Sequence, residues 1–223
     1  MTKEEYNLWS DSYDNDNNPT RDLDHLVVSQ SIHRYKDKKI IEIGCGTGKN
    51  TILLSEVASQ VQAIDFSEGM LEKAKIKLKD KNNVRFFSAD ITEKWPFTNS
   101  SNDVILCSLV LEHIENLDFI FSEANRVLVA SGEFFINEFH PYKQYQGKKP
   151  NFQKNGKRIE IESYIHDISE FIYSALNNNF ELRRMDEWRE NKQDLIPRLI
   201  SIIFKKKKLK KTERMMKRNG RKP

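Results

Sequence analysis

The chain has 223 residues, 38% hydrophobic and 31% charged, which suits one α/β domain with some decoration and excludes a disordered chain by composition. No apolar run approaches the roughly 20 residues that span a bilayer, and the polar, acidic start MTKEEYNLWSDSYDND is neither a secretory signal nor an Arg-rich transit peptide. The net charge of +4 is divided: residues 205–223 hold eight Lys and three Arg against one Glu, a charge of +10, and the rest carries −6.

Residues 1–20, rich in Asn and Asp, read as a mobile lead-in, and Arg21 to Tyr35 places Leu23, Leu26, Val27 and Ile32 at helical spacing. Strands and helices then alternate. KIIEI (39–43) reads as a buried strand, GKNTILLSEVAS (48–59) as a helix, VQAID (61–65) as a strand, and EGMLEKAKIKLK (68–79) as a helix that Ser67 can cap. VRFFS (84–88) and DVILCSL (103–109) are further strands. A helical pattern from Leu117 to Val129 ends near Ser131-Gly132, before the strand EFFINEF (133–139). Such alternation means right-handed crossovers and a doubly wound, three-layer α/β fold with a mostly parallel sheet. After position 140 the rhythm changes: a polar insertion (140–156) precedes a helix (165–179) and the strands 180–188 and 198–204, which suggest an antiparallel hairpin at the end of the sheet. One domain is expected over 1–204, with 1–35 as an N-terminal lid, 140–164 as an acceptor-side insertion, and 205–223 as a basic tail.

The stretch IIEIGCGTGKN packs Gly44, Gly46 and Gly48 directly after the first strand and ahead of a helix, whose N-terminus presents free N–H groups. Dinucleotide binding needs G-x-G-x-x-G, but the spacing is G-x-G-x-G, and Lys49 stands where the third glycine belongs. Glu42, two residues before Gly44, repels a pyrophosphate and attracts an ammonium group. EIGCGTG, with Cys45 inside it, resembles the first motif of the class I S-adenosylmethionine-dependent methyltransferases. Other landmarks of that family recur in order over about residues 35–140. The resemblance implies a seven-stranded sheet and S-adenosylmethionine as cofactor. It also implies that Glu42 orders the loop and faces the amine, and that Asp65 takes the ribose hydroxyls. Phe66 and Met70 would pack the adenine, Asp90 with the neighbouring Ile91 would meet its amino group, and Ser108, Leu109 and His113 would line the methyl-donor side. Asn102 departs from the aromatic that often precedes Asp103 in the family. Each residue singly has a structural alternative: a helix cap for Asp65, a turn for Asp90, core for Phe66 and Met70.

On the acceptor side, no N-P-P-Y or D-P-P-Y signature is present, no RNA-binding domain is appended, and no Cys pair is arranged for attack on a pyrimidine. A small-molecule O- or N-methyltransferase is therefore expected. The alternatives are a methyltransferase docked on RNA, a ribosome or a peptide through the basic tail, and a non-catalytic cofactor- or partner-binding module. The insertion places Glu138, His140, Tyr142, Gln144 and Tyr145 where they can overhang the methyl. His140 is the first candidate for a general base, because an imidazole accepts a proton at neutral pH. His166, with Asp167 as orienting partner, is the second. A loop histidine bonded to backbone and a helix-terminal residue are the competing readings. Tyr13 and the TRDLD segment (20–24) would fold over the cofactor, with Arg21 meeting the methionine carboxylate or an anionic acceptor. The tail could hold RNA or another anionic surface through counterion release, or be a solvated terminus. No metal cluster is evident. Cys45 and Cys107, 62 positions apart, fit a reducing, cytoplasmic setting better than a disulfide scaffold.

Overall fold

The computed structural model describes residues 3–154 and 157–208. Its first elements are α1 (Lys3–Trp9) and α2 (Pro19–Ser31), the latter capped by the Asn18 side chain, which accepts from Arg21 N at 3.1 Å. A 3₁₀ turn (Ile32–Tyr35) then leads into β1 (Lys39–Ile43), α3 (Lys49–Val57), β2 (Gln60–Asp65), α4 (Glu68–Lys77) and β3 (Val84–Ser88). After β3 come β4 (Asn102–Ser108), a second 3₁₀ turn (Leu111–His113), α5 (Leu117–Val127) and β5 (Leu128–Phe139). The remaining elements are α6 (Pro141–Tyr145), β6 (Asn151–Lys154), β7 (Lys157–Glu160), α7 (Ile168–Asn177), β8 (Phe180–Trp188) and β9 (Leu199–Lys206).

Seven strands form one sheet in the order β3-β2-β1-β4-β5-β9-β8, parallel from β3 to β5, with β9 antiparallel to both its neighbours. Alternation along β1 sets the layers. Ile41 and Ile43 pack with Phe121 of α5 and Phe171 of α7, whereas Ile40 packs with Val27 and Val28 of α2 and Leu54 of α3. The sheet is thus buried on both faces, which accounts for the nearly continuous apolar runs of its central strands. Because β2 and β4 leave β1 in opposite directions, the strand order reverses there, and the carboxyl ends of β1 and β4 border a crevice.

Several expectations need correction. The lead-in is not structureless: α1 lies on α4, where the Asn7 side chain accepts from Ser67 Oγ (2.7 Å) and Gly69 N (3.0 Å), and Trp9 stacks on Phe152 with ring centroids 4.9 Å apart. Strand β5 begins at Leu128 rather than 133. Ser131 takes φ 69°, which bends the strand where its register to β4 shifts and does not stop a helix. The insertion contains α6 and the hairpin β6–β7. Strand β9 runs on through Lys206, whose Nζ donates to Leu128 O at 2.8 Å, so the basic run starts inside the sheet. The part of the tail from 209 on lies outside the described residues.

Candidate active site

Two abutting cavities open at the carboxyl edge of the sheet. The first, of about 70 Å³, follows the strand ends in chain order: Gly44 and Gly46 after β1, Asp65 and Phe66 after β2, Asp90 and Ile91 after β3. Met70 of α4 and Ser108, Val110 and His113 after β4 complete it, with Tyr6 and Tyr13 above. The second, of about 320 Å³, shares Tyr6, Tyr13, Leu109 and His113 with the first and extends under α2 and the insertion.

The glycine loop has distinct local reasons. Gly44 takes φ 66°, and a Cβ there would stand 2.2 Å from Val110 Cγ2, so the β1 and β4 ends approach too closely for a side chain. Gly48 (φ 85°) abuts α4, where a Cβ would meet Leu78 Cδ1 at 2.9 Å, so this glycine serves helix packing rather than a ligand. A Cβ on Gly46 meets nothing within 4 Å, which leaves that backbone open to the first cavity. Leu109 takes φ 57° at the shared wall, an uncommon conformation held by its N–H donating to Asn137 O at 2.9 Å.

Asp65 accepts from Gly46 N and Ser67 N, both at 2.8 Å, and burial nevertheless pushes its carboxyl up to about 6. The helix cap itself is Ser67, which accepts from Met70 N at 3.2 Å. Asp90 accepts from Thr92 N (2.8 Å) and Thr92 Oγ1 (2.7 Å), forming a turn that faces the cavity. Ser108 donates to Asp24, a buried hub that also accepts from Asn50 (2.8 Å) and Asn137 (2.6 Å). The TRDLD segment is therefore tied to the sheet through Asp24 as well as Arg21.

At the shared wall, His113 Nδ1 lies 2.9 Å from Glu162 O and its Nε2 2.8 Å from Tyr6 Oη. A carbonyl only accepts, so Nδ1 carries the proton and Nε2 accepts from the tyrosine. Burial lowers the His113 pKa and raises that of Tyr6, which keeps both neutral at pH 7.

Other expected residues lie elsewhere. Glu42 sits beneath the loop and accepts from Thr51 Oγ1 at 2.5 Å. It faces α3 and not the cavity, and burial pushes its carboxyl to about 8. Cys45 turns away to pack with Ala63 and Leu71. Arg21 stands over the Tyr13 ring at 4.0 Å and borders the second cavity rather than the first. Glu138 is buried, accepting from Val110 N (3.1 Å) and Leu111 N (3.0 Å) to hold the β4 turn. His140 is fully buried: its Nδ1 accepts from Tyr142 N at 3.2 Å as the α6 cap, and its Nε2 lies 3.3 Å from Glu187. His166 is held between Glu170 (2.7 Å) and Ile114 O (2.7 Å). With both ring nitrogens engaged and neither ring at either cavity, these histidines do not face the site. Gln144 is buried against Glu112, and Tyr142 and Tyr145 point outward, Tyr145 donating to Asp167. Tyr6, Trp9, Lys143, Lys148, Lys149 and Arg198 line the cavities without having been singled out. Tyr6, Trp9 and Tyr13 fall at i, i+3 and i+7, a helical stripe masked by the surrounding Asn and Asp.

Residues 41–136 match the family model described as a methyltransferase domain. The chain thus contains a methyltransferase domain of the S-adenosylmethionine-dependent kind. An uncharacterized methyltransferase of Emericella nidulans is 27% identical over 81% of this chain and 76% of its own length. A demethylmenaquinone methyltransferase of Leptospira interrogans is 32% identical over 60% of this chain and 58% of its own. An S-adenosylmethionine-dependent methyltransferase of Mesorhizobium loti has the same fold, with a TM-score of 0.70 at 17% identity, covering 82% of this chain and 98% of its own.

The chemistry of the first cavity fits the cofactor. Carboxylates end β2 and β3, apolar Phe66, Met70 and Ile91 lie between them, and the glycine loop leaves its backbone bare. Its volume is the exception: about 70 Å³ is well short of the roughly 300–1,000 Å³ typical of ligand pockets, because the Tyr6 ring lies 5.7 Å from that of Phe66 and fills the space between.

Proposed function

We propose that this methyltransferase carries the methyl group of S-adenosylmethionine to an O or N atom of a small-molecule acceptor held in the second cavity. The observation that carries the reading is the wall shared by the two cavities, Tyr6, Tyr13, Leu109 and His113, across which the two spaces meet. Asp65 takes the ribose hydroxyls, Phe66, Met70 and Ile91 pack the adenine, Asp90 meets its amino group, and Gly44 and Gly46 lie along the methionine. The sulfonium supplies an already electrophilic carbon, so alignment of the acceptor at the shared wall is the protein's main contribution.

Where the acceptor is a hydroxyl or an ammonium, it must lose a proton. The Tyr6–His113 pair replaces His140 and His166 in that role. The acceptor proton passes to Tyr6 Oη while the tyrosine proton passes to His113 Nε2, as the C–S bond breaks with its electrons left on sulfur and the new bond to carbon forms. Residues 1–204 act as one catalytic unit, with α1 and the loop to α2 as a lid and residues 140–164 as acceptor-side wall. The free, buried Cys45 and Cys107 fit a reducing, cytoplasmic setting.

The test is transfer of label from methyl-labelled S-adenosylmethionine in a cell extract separated into small molecules, protein and nucleic acid. Label is expected in the small-molecule fraction, falling roughly 10²–10⁴-fold in His113→Ala while binding of S-adenosylhomocysteine persists. Label confined to protein or RNA contradicts the acceptor class, and unchanged transfer by His113→Ala contradicts the base.

A further inference from the structure

The second cavity has a charge pattern that methyl transfer as such does not require. Five cationic side chains line it: Arg21 from α2, Lys143 from α6, Lys148 and Lys149 from the loop that follows, and Arg198 ahead of β9. Glu112 is the one carboxylate among its lining residues. That group is buried, lies 3.4 Å from the Gln144 amide, and is pushed by burial up to about 7, so it opposes the cations only in part. The first cavity is the reverse, lined by Asp65 and Asp90 and by no Lys or Arg. In a chain whose residues 1–204 carry −6, five cations around one cavity are a local concentration and not the general background.

Two of these cations have unused donors. Arg21 is only 9% exposed; its terminal nitrogens donate to the Tyr13 and Asp16 carbonyls, and its Nε, also buried, has no partner. Arg198 donates to Thr20 Oγ1 (3.0 Å) and Glu190 (2.5 Å), and its buried Nε likewise has none. Both Nε atoms are closed off from solvent, so what the two arginines bring to the cavity is their fixed positive charge. The three lysines form no ion pair with a described carboxylate. The positive end of the 13-residue helix α2, at Asn18 to Thr20, borders the same space. Trp9, Tyr13 and Phe139 supply apolar walls for a carbon skeleton.

We propose that the second cavity selects an anionic acceptor, a small molecule whose carboxylate or phosphate is held by Lys143, Lys148 and Lys149 in the field of the Arg21 and Arg198 guanidinium groups. Its methylated atom then lies at Tyr6 and His113. This deepens the proposed function and rests on the first cavity being the methyl-donor site. Opposite charge in the two cavities also sorts the reactants, since the cationic end of the cofactor is attracted to the first and the anionic acceptor to the second.

The full chain, saturated with S-adenosylhomocysteine, is titrated by calorimetry with 4-hydroxybenzoate, phenyl phosphate and the neutral 4-hydroxybenzamide. At least one anion is expected to bind about tenfold or more tightly than the amide, and the stronger of the two identifies carboxylate or phosphate as the preferred group. The double substitution Lys143→Glu/Lys149→Glu should weaken that anion by a further factor of about ten or more and leave S-adenosylhomocysteine affinity unchanged. Binding of none of the three, equal binding of anion and amide, or indifference to the charge reversal overturns the anionic acceptor while sparing the donor site. Failure of S-adenosylhomocysteine to bind at all overturns both.

Discussion

Glu138 shows how a residue placed at the right strand end can serve the site without entering it. Its carboxylate holds the Val110 and Leu111 amides and so fixes the turn that brings Leu109 and His113 to the shared wall. Its second oxygen is buried with no partner, and burial pushes the carboxyl from its ordinary 4.5 up to about 8. The folded chain therefore keeps this proton where the unfolded chain has lost it. Stability from the group is whole below about pH 4.5 and is lost as pH rises toward 8, at no more than about 1.4 kcal/mol per pH unit. Glu42 and Glu112, raised to about 8 and about 7, act in the same sense. Thermal unfolding of Glu138→Gln against the parent chain tests this: the variant should gain in relative Tm between about pH 5 and about pH 8, because glutamine has no charge to bury. A relative Tm independent of pH contradicts it. The acid at 138 was visible in the sequence. Its role was not, because the choice between overhanging the methyl and tying down a turn depends on backbone amides 27 and 28 residues away.

At the scale of elements, α1 and the segment up to α2 form a strap over the first cavity. Asn7 ties α1 to the start of α4, Asp14 joins Thr47 (2.6 Å) and Lys77 (2.6 Å), and Arg21 stacks on Tyr13. Of these contacts only Asp14–Lys77 is a surface pair, which contributes about 0–1 kcal/mol; Ser67, Thr47 and Arg21 are buried, so the strap moves as one piece. Since Tyr6 occupies space beside Phe66, the cofactor enters only when α1 moves. Hydrogen exchange of residues 3–17 should therefore slow when S-adenosylhomocysteine is added, the strap closing over the ligand with Tyr6 shifted off Phe66 and its Oη still on His113. Exchange in that segment unaffected by the ligand contradicts the lid. The central strands and helices from β1 to β4 were legible, because their buried faces and the Ser67 cap impose local patterns. The short α1 and α6 and the hairpin β6–β7 were not, since polar segments gain their order from long-range contacts such as Trp9 on Phe152. For the same reason the charged residues of the insertion that line the second cavity are its lysines, which read in sequence as ordinary solvated charge, while its tyrosines point outward.

For the molecule as a whole, the reversal of strand order between β1 and β4 explains why residues far apart in the chain share one edge. Parallel strands with crossovers on both faces deliver Gly44, Asp65, Asp90 and Ser108 to the same side, and this much followed from the strand–helix alternation. Insertion of β9 between β5 and β8 then brings Arg198 to the second cavity, a placement that depends on pairing across some 60 residues. Charge is arranged on the same scale, acidic at the first cavity and basic at the second. The most direct measurement is calorimetric titration of the full chain and of Asp65→Ala with S-adenosylhomocysteine. The account predicts saturable, one-to-one binding by the parent chain and a loss of at least about tenfold in affinity in the variant, which lacks the carboxylate that ends β2 at the first cavity. No binding by the parent, or equal binding by both, would contradict it.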